Sequence, residues 1–344
     1  MFESIHISHF RGIRSVDIEN LKRINLFFGK NNCGKSSILE AMLLLCGPSN
    51  PVLPLRINTL RGYQGLTEKD FSLDFYNLTN SPIVIHNKKR YLQIKQIKSI
   101  SKDVSIEQLN TFNSRETSAY HGLLLEYKEG NLSKTYSSSI TIPSNSQDKT
   151  LHTKTDERFI ETLYAEYIPA NYMQIQMQDK YAKIVVQKGN QAIVKVLQSI
   201  EPRINTIQLV GSEVMVDVGL PQLLPINMLG DGIRKIFSIL VTIAYCKDGI
   251  LLVDEVDNGF HFSAMKTLWK AILMMACENN VQLFITSHNI DSVKGLMEAY
   301  TEHSEEQPNL SVFKLIKKTD DTIVPLPYDY ANIKYMIQQE IEMR

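Results

Sequence analysis

Apolar positions along this chain follow two rhythms. Short alternating runs at Phe2–Ser8, Ser15–Ile18 and Ile24–Phe28 predict strands. The third run stops at Gly29, and from Lys35 to about Cys46 the apolar positions take a helical spacing. From about Ser81 to Ile142 the pattern again favours strands: Pro82–Ile85, Tyr91–Ile97, Gly122–Tyr127 and Ser133–Thr141 are rich in branched and aromatic residues, with Asn and Gly at the breaks. Between Asp156 and about Ile200 the period is helical, interrupted near Pro169. Ile207–Val218 returns to strand, with Gly211-Ser212 as a hairpin turn.

The C-terminal half alternates more sharply. Gly230-Asp231-Gly232 opens a helix that runs to about Tyr245. Gly249–Val253 is a fully apolar strand ending in Asp254-Glu255. Ser263–Glu278 reads as a helix, and Val281–Thr286 as another apolar strand, ending in Ser287-His288. A short strand at Leu310–Ile316 and a terminal helix at Tyr330–Met343 follow. Continuous apolar strands alternating with helices indicate a parallel sheet covered on both faces, an α/β fold.

Charge changes this picture little. Lys+Arg and Asp+Glu both number 37 in 344 residues, for a formal net charge of zero. The global field therefore gives no argument for nucleic acid or an anionic membrane, although a local basic patch remains open. Met1-Phe2-Glu3-Ser4 lacks the pattern of a secretion signal. The most apolar stretch, Ile236 to Cys246, is well short of the ~20 residues of a membrane helix. Cys33, Cys46, Cys246 and Cys277 are scattered without a CxxC pair, which argues against zinc and disulfide frameworks. The expectation is a cytoplasmic protein that uses no membrane.

The candidate chemistry sits at the ends of the apolar strands. Gly29-Lys30-Asn31-Asn32-Cys33-Gly34-Lys35-Ser36 fits G-x-x-x-x-G-K-[ST], between a strand and a helix. Glycines let the backbone curl so that its N–H groups, including those near Asn31, Asn32, Cys33 and Ser37, face phosphate oxygens. The following helix adds its positive end. Lys35 is expected on the β- and γ-phosphates of ATP, and the Ser36 hydroxyl on Mg²⁺. Asp254, delivered by its strand, is expected to hold Mg²⁺ directly or through water, and Glu255 is placed to polarise the attacking water. Gly230, Asp231 and Gly232 form a glycine-rich turn before a helix, which suits an anion or simply starts a helix. His288 could reach a γ-phosphate or cap its strand. Cys33 is either a thiol whose alkylation blocks binding or a small loop residue facing away.

These motifs, in this order, resemble the ATPase heads of the ABC superfamily in the SMC-like and RecF-like branch, closest to the ATPase part of OLD-family proteins often labelled AAA. The resemblance rests on "FRGI" at Phe10–Ile13, "FFGKNNCGKSSILEAM" at Phe27–Met42, "LGDGIRKI" at Leu229–Ile236, "LLVDEVDNGFH" at Leu251–His261 and "FITSHN" at Phe284–Asn289. It implies one two-lobed phosphate-loop head over 1–344: a phosphate-loop lobe (1–80), a β-rich insertion (81–155), a helical insertion (156–205), a signature and Asp-Glu lobe (206–318) and a C-terminal helix (319–344). It further implies a homodimer, head to tail, with each ATP held between one phosphate loop and the partner's signature turn. Gly230–Gly232 would act in trans, His261 would lie in the crossing loop, and His288 would be the switch histidine. Arg11 would approach the nucleotide from the edge of the site, and Gln64 is a candidate for the glutamine loop. The signature departs from the family's, because Gly230 replaces the usual serine and Asp231 the middle glycine. The stretch after His288 is too short for the Toprim nuclease that follows such heads in OLD proteins.

Three functions compete. One is a dimeric ATP switch controlling a separately encoded effector, as in bacterial antiviral defence. The second is a DNA-engaging ATPase of the repair or SMC type, motivated by Lys88, Lys89, Arg90, Lys95, Lys98 and Lys102 in an acid-free stretch beside His86 and Tyr91. The same pattern fits a solvated lysine-rich face. The third is an ATP-dependent scaffold with little turnover, motivated by the altered signature. A GTPase fits least, because Asn87-Lys88-Lys89-Arg90 lacks the aspartate of a guanine motif.

Overall fold

A computed structural model describes residues 1–63, 71–75, 81–100, 119–130, 134–143, 151–170, 177–302, 309–328, 332, 333 and 335. Its centre is a six-stranded sheet in the order β16-β15-β3-β14-β13-β9. Strands β3 (Ile24–Phe28), β9 (Ala165–Ile168), β13 (Ile250–Val253), β14 (Gln282–Ser287) and β15 (Leu310–Lys317) run parallel, and β16 (Ile323–Tyr328) pairs antiparallel at the edge. Every residue of β3, β13 and β14 is buried, as a sheet covered on both faces requires. Successive side chains point to opposite faces. Thus Leu26, Leu251, Leu283 and Val312 enter one core, while Phe27, Leu252, Phe284 and Phe313 enter another.

The second core is closed by a seven-stranded antiparallel sheet, β2-β1-β4-β5-β6-β7-β8. It comprises β1 (Ile5–Phe10), β2 (Ile13–Ile18), β4 (Ile83–His86), β5 (Arg90–Ile100), β6 (Ala119–Glu129), β7 (Tyr136–Pro143) and β8 (His152–Thr155). Helix α1 (Lys35–Cys46) lies between the two sheets, with Ile38, Leu39, Met42 and Leu45 fully covered. α2 (Leu53–Leu60) follows it. On the opposite face α3 (Met177–Val186), α4 (Asn190–Ile200), α5 (Asp231–Tyr245), α6 (Met265–Glu278) and α7 (Ile290–Glu302) pack over the central sheet, beside a small sheet of β10 (Thr206–Val210), β11 (Glu213–Asp217) and β12 (Leu224–Pro225). Among the described residues no helix is long and apolar enough to cross a membrane.

α1 begins at Lys35 as the periodicity predicts, and Gly211 turns the β10–β11 hairpin at φ 61°. Two stretches differ. The helical reading of 156–200 holds only for α3 and α4. Ala165–Ile168 is instead a strand, parallel to β13 in the register Ile250↔Ala165 to Val253↔Ile168. Four residues carry too little period to separate strand from helix, and the sheet edge decides. The assignment of 319–344 to a C-terminal helix also fails at its start, where Ile323–Tyr328 forms β16. Pro325 and Pro327 mask that strand, and proline is tolerated there because β16 is an edge. Most of the expected helix at Tyr330–Met343 lies outside the described residues, as do Gln64 and Lys102.

Candidate nucleotide site

The phosphate loop leaves the buried end of β3 and enters α1 within a few residues. Gly29 has φ 153° and Gly34 φ 94°. A Cβ on Gly29 would lie 2.8 Å from the Leu315 carbonyl oxygen, and one on Gly34 would lie 2.4 Å from Ile323 Cδ1. β15 and β16 therefore press on the loop so closely that only glycine fits at both ends. Gly34 also caps α1 without a side-chain acceptor, which leaves the first helical N–H groups facing outward. Lys35 is buried, and its Nζ donates to the Gly29 and Lys30 carbonyls, each at 2.9 Å.

A cavity of about 270 Å³ lies over this loop, bordered by Asn31, Asn32, Gly34, Lys35, Ser36 and Ser37 on one side and by Arg11, Arg61, Glu255 and Lys317 around it. A second cavity of about 670 Å³ adjoins it, sharing Asn31, Asn32 and Lys317, with Lys30, Lys314, Lys318 and Asp321 along its wall. Cys33 borders this second space, but its thiol is buried 4.0 Å from Lys35 Nζ, and burial holds its pKa above the ordinary thiol value.

The two acids after β13 are held differently. Asp254 is 4% exposed. Its N–H donates to the Ile168 carbonyl at 2.9 Å, its Oδ1 accepts the Thr286 hydroxyl at 2.5 Å, and its Oδ2 accepts the Tyr167 hydroxyl at 3.3 Å. Burial, and then the Asp254 charge, push the Tyr167 phenol well above its usual pKa. Glu255 takes a left-handed backbone, φ 47°, and turns its carboxylate to the cavity wall. Its N–H donates to Thr286 Oγ1 at 2.8 Å, its Oε2 accepts Asn258 Nδ2 at 2.5 Å, and His288 Nδ1 stands 3.8 Å from its Oε1. His288, predicted from its strand end, is thus brought to Glu255.

The turn Gly230–Gly232 does not border the cavity. Gly230 and Asp231 are exposed at the start of α5, where Asp231 pairs with Arg234. A Cβ on Gly232 would meet the Gly259 carbonyl and the Phe260 ring at 3.4 Å, so the turn abuts the loop that carries His261. His261 is exposed next to Phe262 (64% exposed), and Met228 (74%) stands before the turn. Lys235, one turn along α5, is buried, and its Nζ donates to the Glu255 carbonyl at 2.6 Å. Burial lowers its pKa to about 8 against the opposing charges of Asp257, Glu255 and Asp254.

Arg11 borders the cavity, but its guanidinium is committed to buried partners. Arg11 and Gly12 form a two-residue turn between β1 and β2 with φ 44° and 60°. The Arg11 N–H donates to the Asp74 carbonyl at 2.8 Å, which aims the side chain inward. There its guanidinium binds Asp74 at 2.6 Å, together with Glu40 and Asn58, and is 3% exposed. Arg61 borders the same cavity and grips Glu40 through two bonds at 2.7 and 2.8 Å. Nothing in the pattern around Arg61 marks it, because α2 is short and opens on Pro54. The basic stretch is also partly spent. Arg90 is buried on Glu161 and Glu129, Lys95 pairs with Glu126, and Lys88 with Glu3.

Beyond these motifs, much of the chain matches known proteins. Residues 24–293 match the family described as "AAA domain, putative AbiEii toxin, Type IV TA system". An "ATP/GTP phosphatase" of Helicobacter pylori is 25% identical, with 99% of each chain covered. A "DNA replication and repair protein RecF" of Cellvibrio japonicus is 46% identical over only 12% of this chain and 11% of that protein. Among solved structures, an SMC head bound to the C-terminal winged-helix domain of ScpA covers 95% of this chain and 98% of its own at TM-score 0.50 and 11% identity, a likeness of fold. The chain belongs to this AAA-domain family and is an ATPase with the phosphate-loop fold of ABC-type and SMC-type heads.

Proposed function

We propose that the protein is a Mg²⁺-dependent ATP hydrolase that works as a dimeric switch. The observation that carries this is Glu255: a carboxylate facing the same cavity as Lys35, oriented by Asn258, with His288 nearby. Lys35 and the loop N–H groups bind the phosphates. The Ser36 hydroxyl and the Asp254 carboxylate are hard oxygen donors, the set that suits Mg²⁺ when phosphate oxygens and water complete its shell. The metal would neutralise phosphate charge there. In this reading Glu255 accepts a proton from water, Arg61 on the cavity wall meets γ-phosphate charge, and His288, beside Glu255, serves as the switch histidine. The lysine-lined second cavity suits the nucleoside end.

The dimer reading draws on the surface around α5. Gly230, Asp231, His261, Met228 and Phe262 are exposed near the start of α5 and lie outside this chain's own cavity lining. Such a face suits a partner's triphosphate, with backbone N–H groups of the turn taking the place of the missing serine. The family's description as a putative toxin of a type IV toxin–antitoxin system supports a defence setting; control of a separately encoded effector in the cytoplasm is part of the same reading. DNA as a partner loses support, because Arg90, Lys88 and Lys95 are already paired with acids.

Solution mass with and without Mg²⁺-ATP, on the parent chain and on Glu255→Gln, tests the switch. A stable dimer of the variant with ATP and steady turnover by the parent are expected. A monomer under all conditions overturns the dimer. Tight ATP binding without turnover by the parent leaves the scaffold reading in its place.

A further inference from the structure

A buried cation joins the signature helix to the base. Lys235 is 7% exposed in the first turn of α5, and its Nζ donates to the Glu255 carbonyl at 2.6 Å. Burying an ammonium is unfavourable unless it is compensated. Beside the charges of Asp257, Glu255 and Asp254, its hydrogen bond falls on the backbone of a residue at φ 47°, a conformation that a glutamate keeps only when its surroundings impose it. The opposite backbone group is fixed as well, since the Glu255 N–H donates to Thr286 Oγ1 at 2.8 Å. Of the two peptide groups that flank Glu255, one is thus anchored to β14 and the other to α5. Gly232 lies in the same turn as Lys235 and packs on Gly259 and Phe260, in the loop that follows Glu255. The start of α5 and the Glu255 loop are therefore joined both by a hydrogen bond and by packing.

We propose that Lys235 is a positioning residue that couples the signature turn to the catalytic base, carrying a contact made at Gly230–Gly232 to the Glu255 backbone and so setting its carboxylate for hydrolysis. This rests on the reading of Glu255 as the base and of the turn as partner-facing. In a head-to-tail pair the turn serves the partner's nucleotide, whereas Glu255 serves its own. Lys235 then links the two sites inside one chain, and each nucleotide is hydrolysed efficiently only when the other is held.

The test uses the full chain with Lys235→Met, Lys235→Arg and Lys235→Gln, which keeps a donor if the methionine variant fails to fold. Affinity is read with a fluorescent ATP analogue, dimerisation by solution mass, and kcat at saturating ATP with the dimer fully formed. Lys235→Met is expected to keep its affinity within about threefold and to dimerise, yet to lose at least tenfold in kcat. Lys235→Arg should recover a third or more of the rate. Gly230→Val, whose Cβ meets nothing within 4 Å, should lower kcat in the parent and add little in Lys235→Met. An unchanged kcat, a loss of affinity or dimer matching the loss of rate, or additive effects with Gly230→Val each overturn the proposal. Parental turnover by Glu255→Gln would instead overturn the base assignment beneath it.

Discussion

Thr286 and Asp254 share a hydrogen bond of 2.5 Å between the hydroxyl and Oδ1, and the same hydroxyl accepts the Glu255 N–H at 2.8 Å. One buried side chain at the end of β14 therefore holds both acids that follow β13, the buried Asp254 and the half-buried Glu255. Thr286→Val keeps the shape and removes both bonds. Partners of this kind around a metal ligand are worth about 10–100-fold in affinity or activity. The expected outcome is a loss of that order in turnover and a higher Mg²⁺ requirement, read by titrating Mg²⁺ at fixed ATP. Thr286→Ser should keep most of both.

Binding and chemistry should separate cleanly between Lys35 and Glu255. Lys35 lies in the loop, bonded to the Gly29 and Lys30 carbonyls, so Lys35→Ala removes the cation nearest the phosphates. It should abolish binding of a fluorescent ATP analogue. Glu255→Gln keeps the Asn258 contact as a hydrogen-bonding amide but cannot accept a proton. It should bind as the parent does and lose about 10²–10⁴ in kcat, the range for a general base. Equal losses in both assays for Glu255→Gln would place Glu255 in binding instead.

The parts of this molecule that were legible in the sequence are those whose physics is local. The curl of Gly29–Gly34, the start of α1 at Lys35 and the fully apolar β13 and β14 each follow from a few adjacent residues. So does the arrival of Asp254, Glu255 and His288 at strand ends on one edge of the sheet. What escaped depends on partners far along the chain. Arg11 is turned inward by Asp74 and Glu40, 63 and 29 residues away. Thr286 reads as one more buried β-branched residue until its hydroxyl is seen between two acids 31 and 32 positions earlier. β9 is a strand because β13 offers it an edge, and β16 is one despite two prolines because nothing pairs beyond it. Lys235 looks like an ordinary helix lysine and is distinguished only by its burial on Glu255.

The Arg11 network predicts a stability effect rather than a binding effect. Its guanidinium carries bonds to Glu40, Asp74 and Asn58, and Arg61 still neutralises Glu40 when it is lost. Among the described residues Asp74 keeps only the Asn58 amide, at 3.5 Å, and would be left as a buried charge. Arg11→Met should cost about 3–5 kcal/mol, as removal of one partner from a buried pair does. Urea unfolding measures this. At low temperature, where the variant stays folded, affinity for ATP should change less than threefold. A stable variant with weakened ATP binding would return Arg11 to the nucleotide.

Cys33 stands inside the phosphate loop, yet its thiol should be the wrong handle for blocking it. The Sγ is buried against Gly29 and Lys35, and burial raises its pKa more than the Lys35 charge lowers it. The thiolate is the reactive form, so at pH 8 little of Cys33 is available to an alkylating reagent. Cys46 and Cys246 are buried, and burial likewise pushes both thiols up, Cys246 to about 12. Cys277 is partly exposed. Iodoacetamide on the native chain should therefore label Cys277 first, as mass spectrometry of peptides would show, with all four labelled after unfolding. ATP binding should survive the native labelling, and Cys33→Ala should bind ATP as the parent does, because the loop's grip lies in its N–H groups and Lys35. Rapid labelling of Cys33 with loss of binding would mean that the loop opens far enough to expose its inner face.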